Sequence, residues 1–240
     1  MRIPRLYINQ ELNSGDIIKL DKAAASYLIK VLRLPVDASL IIFNGQGGSY
    51  QARLLEHGKQ PEIKVEKFEA DDNESPLKIT LIQGISKGDH MDMTIQKAVE
   101  LGVSEIIPLI CERTVVNLKA DRLDKKMRHW QGIITNASEQ CGRNTLLHIH
   151  PPQKLVNVVL DENQTGFILQ PTAINSFATQ LAAASVCIMI GPEGGFTDEE
   201  INLSMEKGFN EVRFGPRVLR TETAAIAAIS ILQSQWGDLN

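Results

Sequence analysis

The 240-residue sequence predicts an α/β protein in two parts, a small β-barrel over residues 1–72 and an α/β domain over residues 73–240. Three observations carry that reading. Short apolar runs divided by turns fill the first part, as in small barrels. Strand-like and helix-like patterns alternate through the second, as in a mostly parallel sheet covered on both faces. Between them Glu69-Ala-Asp-Asp-Asn-Glu-Ser-Pro76 is acidic, polar and closed by a proline, with no apolar anchor.

In the first part, Asp16–Leu20, Ser39–Phe43, Tyr50–Leu55 and Ile63–Phe68 read as strands. Asn44-Gly-Gln-Gly-Gly48 supplies the turn between two of them, with glycines free to take positive φ. One helix is expected from Lys22 to Leu32, with Ala24, Leu28, Val31 and Leu32 on its apolar face.

After Pro76 the chain alternates. Leu77–Ile82 is a strand, and Asp89–Leu101 a helix stopped by Gly102. Ser104–Ile110 is a strand. Asp121–Cys141 is a long helix striped by Leu123, Met127, Trp130, Ile134, Ala137 and Cys141. Gly166–Leu169 is a strand and Asn175–Ala184 a helix. Val186–Ile190 is an apolar strand that runs directly into Gly191-Pro-Glu-Gly-Gly195. Thr197-Asp-Glu-Glu200 matches a capping box, so a helix starts there and ends at Gly208. Glu211–Phe214 is the last strand and Thr223–Trp236 the last helix.

Apolar residues make up 43% and charged residues 22%, which excludes a disordered, fibrous or coiled-coil chain. The net charge of −4 gives no overall field toward nucleic acid or an anionic membrane. Locally the balance reverses. Cys111–Leu146 holds seven Lys/Arg against four acids, and Met1–Arg33 six against three, each +3. Solvated helix faces and RNA-facing patches both fit. No secretory signal is visible and no apolar run approaches a bilayer span, so a cytoplasmic location is expected. Cys111, Cys141 and Cys187 are far apart and form no CxxC pair, as expected of reduced thiols. His148 and His150 lack a third nearby ligand, so no metal is expected.

In open α/β sheets, ligands sit beyond the carboxyl ends of the strands. Three loops follow strands here: Leu169-Gln-Pro171, Gly191–Gly195, and Gly215-Pro-Arg-Val-Leu-Arg-Thr-Glu-Thr223. Gly191–Gly195 fits a tight strand–helix turn as well as a ligand loop; it is neither a P-loop nor a GxGxxG fingerprint. The third loop packs two Arg, one Glu and two Thr into nine residues, and is either a solvated loop or a site. Gln140-Cys-Gly-Arg-Asn144 closes the long helix with groups suited to phosphate or base-edge contacts, while a plain C-cap at Gly142 explains the glycine equally.

Four stretches together resemble one family: Gly191-Pro-Glu-Gly-Gly-Phe196, Phe214-Gly-Pro-Arg-Val-Leu-Arg-Thr-Glu-Thr-Ala224, Thr94-Ile-Gln-Lys-Ala-Val-Glu-Leu-Gly102 and Glu139-Gln-Cys-Gly-Arg-Asn144. They look like the ribosomal RNA small subunit methyltransferase E family of the SPOUT methyltransferases, and the resemblance covers nearly the whole chain. It implies an N-terminal PUA-like RNA-binding barrel and a C-terminal α/β domain with a deep trefoil knot. It implies S-adenosyl-L-methionine as cofactor, 16S ribosomal RNA within the small subunit as partner, methylation at uridine N3, and a homodimer. Carried over, the cofactor would meet Leu169, Pro171, Ile190, Gly191, Pro192, Glu193, Gly194, Gly195, Phe214, Gly215, Pro216, Val218, Leu219 and Arg220. The Ala-rich last helix would lie in core and interface.

Uridine N3 must lose a proton before it attacks well, and a cation in a partly dry pocket favours the anion. Arg220 is the candidate, with Glu222 holding it or accepting the proton. Arg5, Lys30, Arg33, Arg113, Gln140, Arg143 and Asn144 are the candidate RNA contacts. Three other readings are open: a SPOUT enzyme acting on another RNA nucleotide, a non-catalytic RNA-binding assembly factor, and a small-molecule enzyme with a nucleotide cofactor, against which the basic segments argue.

Overall fold

The computed structural model describes residues 3–58, 60–71, 73–114, 120–175 and 183–239. The chain divides into two compact units. The first holds Met1–Glu74 and Ser138–Leu146, and the second Ser75–Ala137 and Leu147–Asn240.

The first unit is a five-stranded sheet of β1 (Arg5–Tyr7), β2 (Ile17–Lys19), β3 (Ser39–Phe43), β4 (Ser49–Leu54) and β5 (Glu62–Glu69), in the order β1-β3-β4-β5-β2. β1 pairs parallel with β3, and the other pairings are antiparallel. The order starts at β1 and ends at β2, so the barrel-like sheet is open. β3 and β4 alternate, placing Leu40, Ile42, Ala52 and Leu54 in one core with Leu6, Ile18, Leu28, Ile63 and Val65. The turn after β3 uses Gly45, Gly47 and Gly48 at positive φ, as its sequence requires.

The helix expected over 22–32 is two things. α1 (Lys22–Ala25), capped by Asp21, runs into a π-helical segment, Ser26–Val31. There the Leu32 amide reaches back five residues to the Tyr27 carbonyl at 2.9 Å. The wider turn shifts the register of the expected face. Leu28 is buried, whereas Val31 and Leu32, expected in the core, are 67% and 37% exposed.

The second unit carries a seven-stranded sheet: β6 (Lys78–Gly84), β7 (Glu105–Ile110), β8 (His148–Ile149), β9 (Gln153–Lys154), β10 (Thr165–Leu169), β11 (Ser185–Ile190) and β12 (Asn210–Val212). Its order is β12-β10-β11-β6-β7-β8, with β9 also on β7, and every recorded pairing is parallel. β6 and β11 lie centrally and are buried along almost their whole length, which explains their unbroken apolar runs. The helices are α2 (Gly88–Glu100), α3 (Ala120–Cys141), α4 (Asp198–Glu206) and α5 (Thr221–Trp236). The capping box at Thr197 and Glu200 forms in full, with bonds of 3.2 and 2.9 Å. α5 begins two residues before the expected Thr223, which puts Thr221 and Glu222 in its first turn. The helix expected over 175–184 falls largely outside the described residues.

From β6 the chain goes to β7 on one side, and β10 and β11 lie on the other. The strand order therefore reverses beside the β6–β11 pair, and a crevice is expected at their carboxyl ends.

Candidate active site

That crevice is a cavity of about 620 Å³. Three strand ends feed it. β10 delivers Leu169, Gln170 and Pro171; β11 delivers Ile190 and Gly191–Phe196; β12 leads into Phe214–Ala224. The three loops singled out in the sequence thus meet at one place.

Close backbone approach explains the glycines and proline. A Cβ on Gly84, at the end of β6, would lie 2.6 Å from Pro192 Cδ and 2.7 Å from the Gly191 carbonyl carbon. Only a glycine lets the β11–α4 loop cross the end of β6 at that separation. Gly195 stands at φ +68°, where a side chain is strained.

Hydrogen bonds hold the loops to one another. Thr221 Oγ1 donates to the Gly191 carbonyl at 2.7 Å and accepts from Gln83 Nε2 at 2.8 Å. Buried Gln83 on β6 therefore ties the start of α5 to the loop after β11. Glu193 accepts from the Lys87 amide at 2.9 Å, just before α2. Arg113 Nη1 donates to the carbonyls of Gly194 and Phe196 at 3.1 and 3.2 Å.

All the expected cofactor residues line the cavity except Pro216. It is exposed in the same loop, and its neighbours Gly215 and Arg217 form the wall instead. Gln170, Phe196, Arg217, Thr221, Ala224 and His90 also line it. His90 was not legible in sequence, because it lies on α2, far along the chain from the loops. Its Nδ1 is 3.0 Å from Glu222 Oε1. Glu222 was expected to hold Arg220 or accept a proton; its recorded ion-pair partner is His90, while Arg220 is exposed and makes no ion pair among the described residues.

The expected RNA contacts separate. Lys30, Arg33 and Gln140 are exposed. Arg113 is exposed but committed to the glycine loop. Arg143, expected at a phosphate, is 4% exposed, and its Nε lies 3.1 Å from both carboxylate oxygens of Glu74. Asn144 is 2% exposed, donates to the Asp71 carbonyl at 3.0 Å and accepts from Arg5. These two, with Arg5, join the end of α3 to the first unit's sheet instead of facing solvent; buried charge requires such partners.

Cys111 and Cys187 are buried free thiols, and burial pushes both up to about 12. No group of three or more His, Cys, Asp or Glu among the described residues could hold a metal ion. No described helix is long and apolar enough to cross a membrane.

The parallel sheet with glycine- and proline-rich loops around one cavity falls in the RNA methyltransferase class. The RNA methyltransferase domain model matches residues 73–233, and the RNA methyltransferase PUA domain model matches residues 20–66. The chain belongs to the ribosomal RNA small subunit methyltransferase E family. It is 39% identical over 245 residues to the Buchnera aphidicola (Schizaphis graminum) member, covering 100% of this chain and 99% of the relative. The solved Neisseria gonorrhoeae member, bound to S-adenosyl methionine, superposes with a TM-score of 0.93 at 37% identity over 100% of both chains. A Legionella pneumophila methyltransferase in complex with the same cofactor gives 0.95 at 40%, again over 100% of both.

Proposed function

We propose that this protein transfers the methyl group of S-adenosyl-L-methionine to N3 of a specific uridine in 16S ribosomal RNA, within the small subunit. The observation that carries the reading is the convergence of all three loops on one cavity at the strand carboxyl ends. The residues present fit the cofactor. Apolar Leu169, Ile190, Phe196 and Leu219 would hold an adenine ring, and the glycine loops would leave backbone groups open to hydrogen-bond it. When bound, the cofactor supplies an electrophilic methyl group.

The chain's own residues then position and tune. Arg220, at the cavity wall and without an ion pair among the described residues, favours the N3 anion by Coulomb attraction. The target base leaves its stack to reach the cavity. Residues 1–72 act as the RNA-binding domain and residues 73–240 as the catalytic one. Exposed Lys30 and Arg33 engage phosphates. The three loops form part of a trefoil knot, the protein works as a homodimer in the cytoplasm, and no metal takes part.

Nucleoside mass spectrometry of 16S RNA from a deletion strain, with site mapping, tests this. Loss of 3-methyluridine at one position, restored by the wild-type gene, is expected. An unchanged modification profile overturns it. Restored methylation by Arg220→Ala at the wild-type rate would remove Arg220 from the mechanism.

A further inference from the structure

Transfer of a methyl group to a ring N–H releases a proton, and the cavity must provide for it. Among the groups on its wall, the His90–Glu222 pair has the arrangement of a base held by a carboxylate. Glu222 sits 8% exposed in the first turn of α5, so it is a poorly solvated carboxylate. Its Oε1 lies 3.0 Å from His90 Nδ1. The His90 side chain is 40% exposed, and among the described residues no hydrogen bond or ion pair engages its Nε2. A carboxylate on Nδ1 holds the imidazole in the tautomer with Nδ1–H donating, which leaves the Nε2 lone pair directed elsewhere. The backbone at His90 is fixed as well. Its amide donates to the Lys87 carbonyl at 3.0 Å, and its carbonyl accepts from Thr94 Oγ1 at 2.9 Å. His90 also lies in the first turn of the 13-residue α2.

We propose that His90 is the general base of the reaction and Glu222 its positioning partner, a reading that rests on the proposed transfer to uridine N3. The N3–H proton passes to Nε2 of His90. The N3 electron pair forms the new N–CH3 bond, and the pair of the broken S–CH3 bond stays on sulfur as a neutral thioether. The imidazolium is stabilised by the Glu222 carboxylate and later returns its proton to water. Arg220 and His90 then divide the work: one stabilises the developing anion, the other removes the proton.

Other charged groups bear on the titration. Glu222 of α5, Arg217 and Arg220 of the β12–α5 loop and Glu193 of the β11–α4 loop share the cavity wall with His90. On its own helix, Asp89 is exposed, and Asp92 is paired with His129 of α3 at 2.7 Å. Lys87 precedes the helix and is exposed.

The test uses the full-length protein with small ribosomal subunits from the deletion strain, in single turnover. The wild-type rate should rise with one ionisation in the range where imidazoles titrate, between about pH 5 and 8, and then level. His90→Gln should lower the plateau by about 10²–10⁴-fold and abolish that inflection. Glu222→Gln should lower the rate less and move the inflection to lower pH, because a negative neighbour is lost. Cooperative urea unfolding should persist in both variants, which separates loss of catalysis from misfolding. A second readout needs no cofactor. Imidazole 15N shifts should place the proton of neutral His90 on Nδ1, and its titration midpoint should fall in Glu222→Gln. Equal rates and profiles for wild type and His90→Gln, or a proton on Nε2, would overturn the assignment. Absence of 3-methyluridine in the wild-type reaction would instead overturn the reading beneath it.

Discussion

Two arginines, one in each unit, illustrate how differently this chain uses charge. Arg143 is 4% exposed and forked onto Glu74, with Asn144 and Arg5 bonded beside it. Arg220 is exposed on the cavity wall and has no ion pair among the described residues. In the first unit Arg143, Glu74, Asn144 and Arg5 are consumed by one another and hold structure together. In the second, cations and backbone groups are left facing a cavity that a ligand can complete. Arg143 follows the C-terminus of α3 and Arg220 caps the N-terminus of α5, and neither local sequence shows which of them has a carboxylate partner. For Arg143 that partner lies 69 residues away.

The comparison breaks most visibly on removal of each arginine. Arg143→Ala strands the part-buried Glu74 carboxylate, and loss of one partner of a buried pair costs about 3–5 kcal/mol. Arg220→Ala, at a solvated position, should change stability by no more than about 0.5 kcal/mol. Urea unfolding of both variants measures the contrast. A loss for Arg143→Ala no larger than that of Arg220→Ala, or a loss for Arg220→Ala as large as that of Arg143→Ala, would erase the division drawn above.

A backbone change at the cavity comes next in size. Gly84→Ala places a methyl group against Pro192 and the Gly191 carbonyl carbon, neither of which can swing away as a side chain would. Overpacking of this kind costs about 1–3 kcal/mol. Displacement of the β11–α4 loop should also weaken S-adenosylmethionine binding at least tenfold, read by calorimetry. Gly132, on α3, has open space where a Cβ would go, so Gly132→Ala should leave binding unchanged. Equal affinities for Gly84→Ala and wild type would show that the loop does not depend on this close approach.

Much of the architecture was legible because periodicity is local. The buried runs of β6 and β11, the stripe of α3 and the Thr197 capping box all formed where the sequence places them. The meeting of the three loops at one cavity was legible because all three follow the carboxyl ends of parallel strands. What was hidden depends on distant partners. The π-helical turn at Ser26–Val31 has no periodic signature, and it exposed two residues assigned to the core. His90 looked like one more helix residue until α2 was set beside α5. Arg143 and Asn144 looked like RNA contacts because the residues that bury them come from before β6.

The finest distinction between the units concerns whether the first tolerates its own buried charge. Glu139, near the end of α3, accepts a hydrogen bond from the Tyr7 amide at 2.9 Å. Burial raises its pKa, and the Tyr7 bond and Arg5 only partly oppose this. The folded value therefore lies above the unfolded one, and folding favours the protonated carboxyl. The stability this contributes is complete below the unfolded pKa of about 4.3 and is lost as pH rises through the folded value. Glu139→Gln keeps an oxygen for the Tyr7 amide while removing the charge. At about pH 7 it should be neutral or stabilising by no more than about 1 kcal/mol. The advantage over wild type should shrink as pH falls toward about 4, where the native side chain is itself neutral. Urea unfolding across that range reads the difference directly. A variant destabilised at about pH 7, with the deficit shrinking as pH falls, would mean that the carboxylate's charge is needed by Arg5 and the Tyr7 amide, and that its burial is outweighed by those partners.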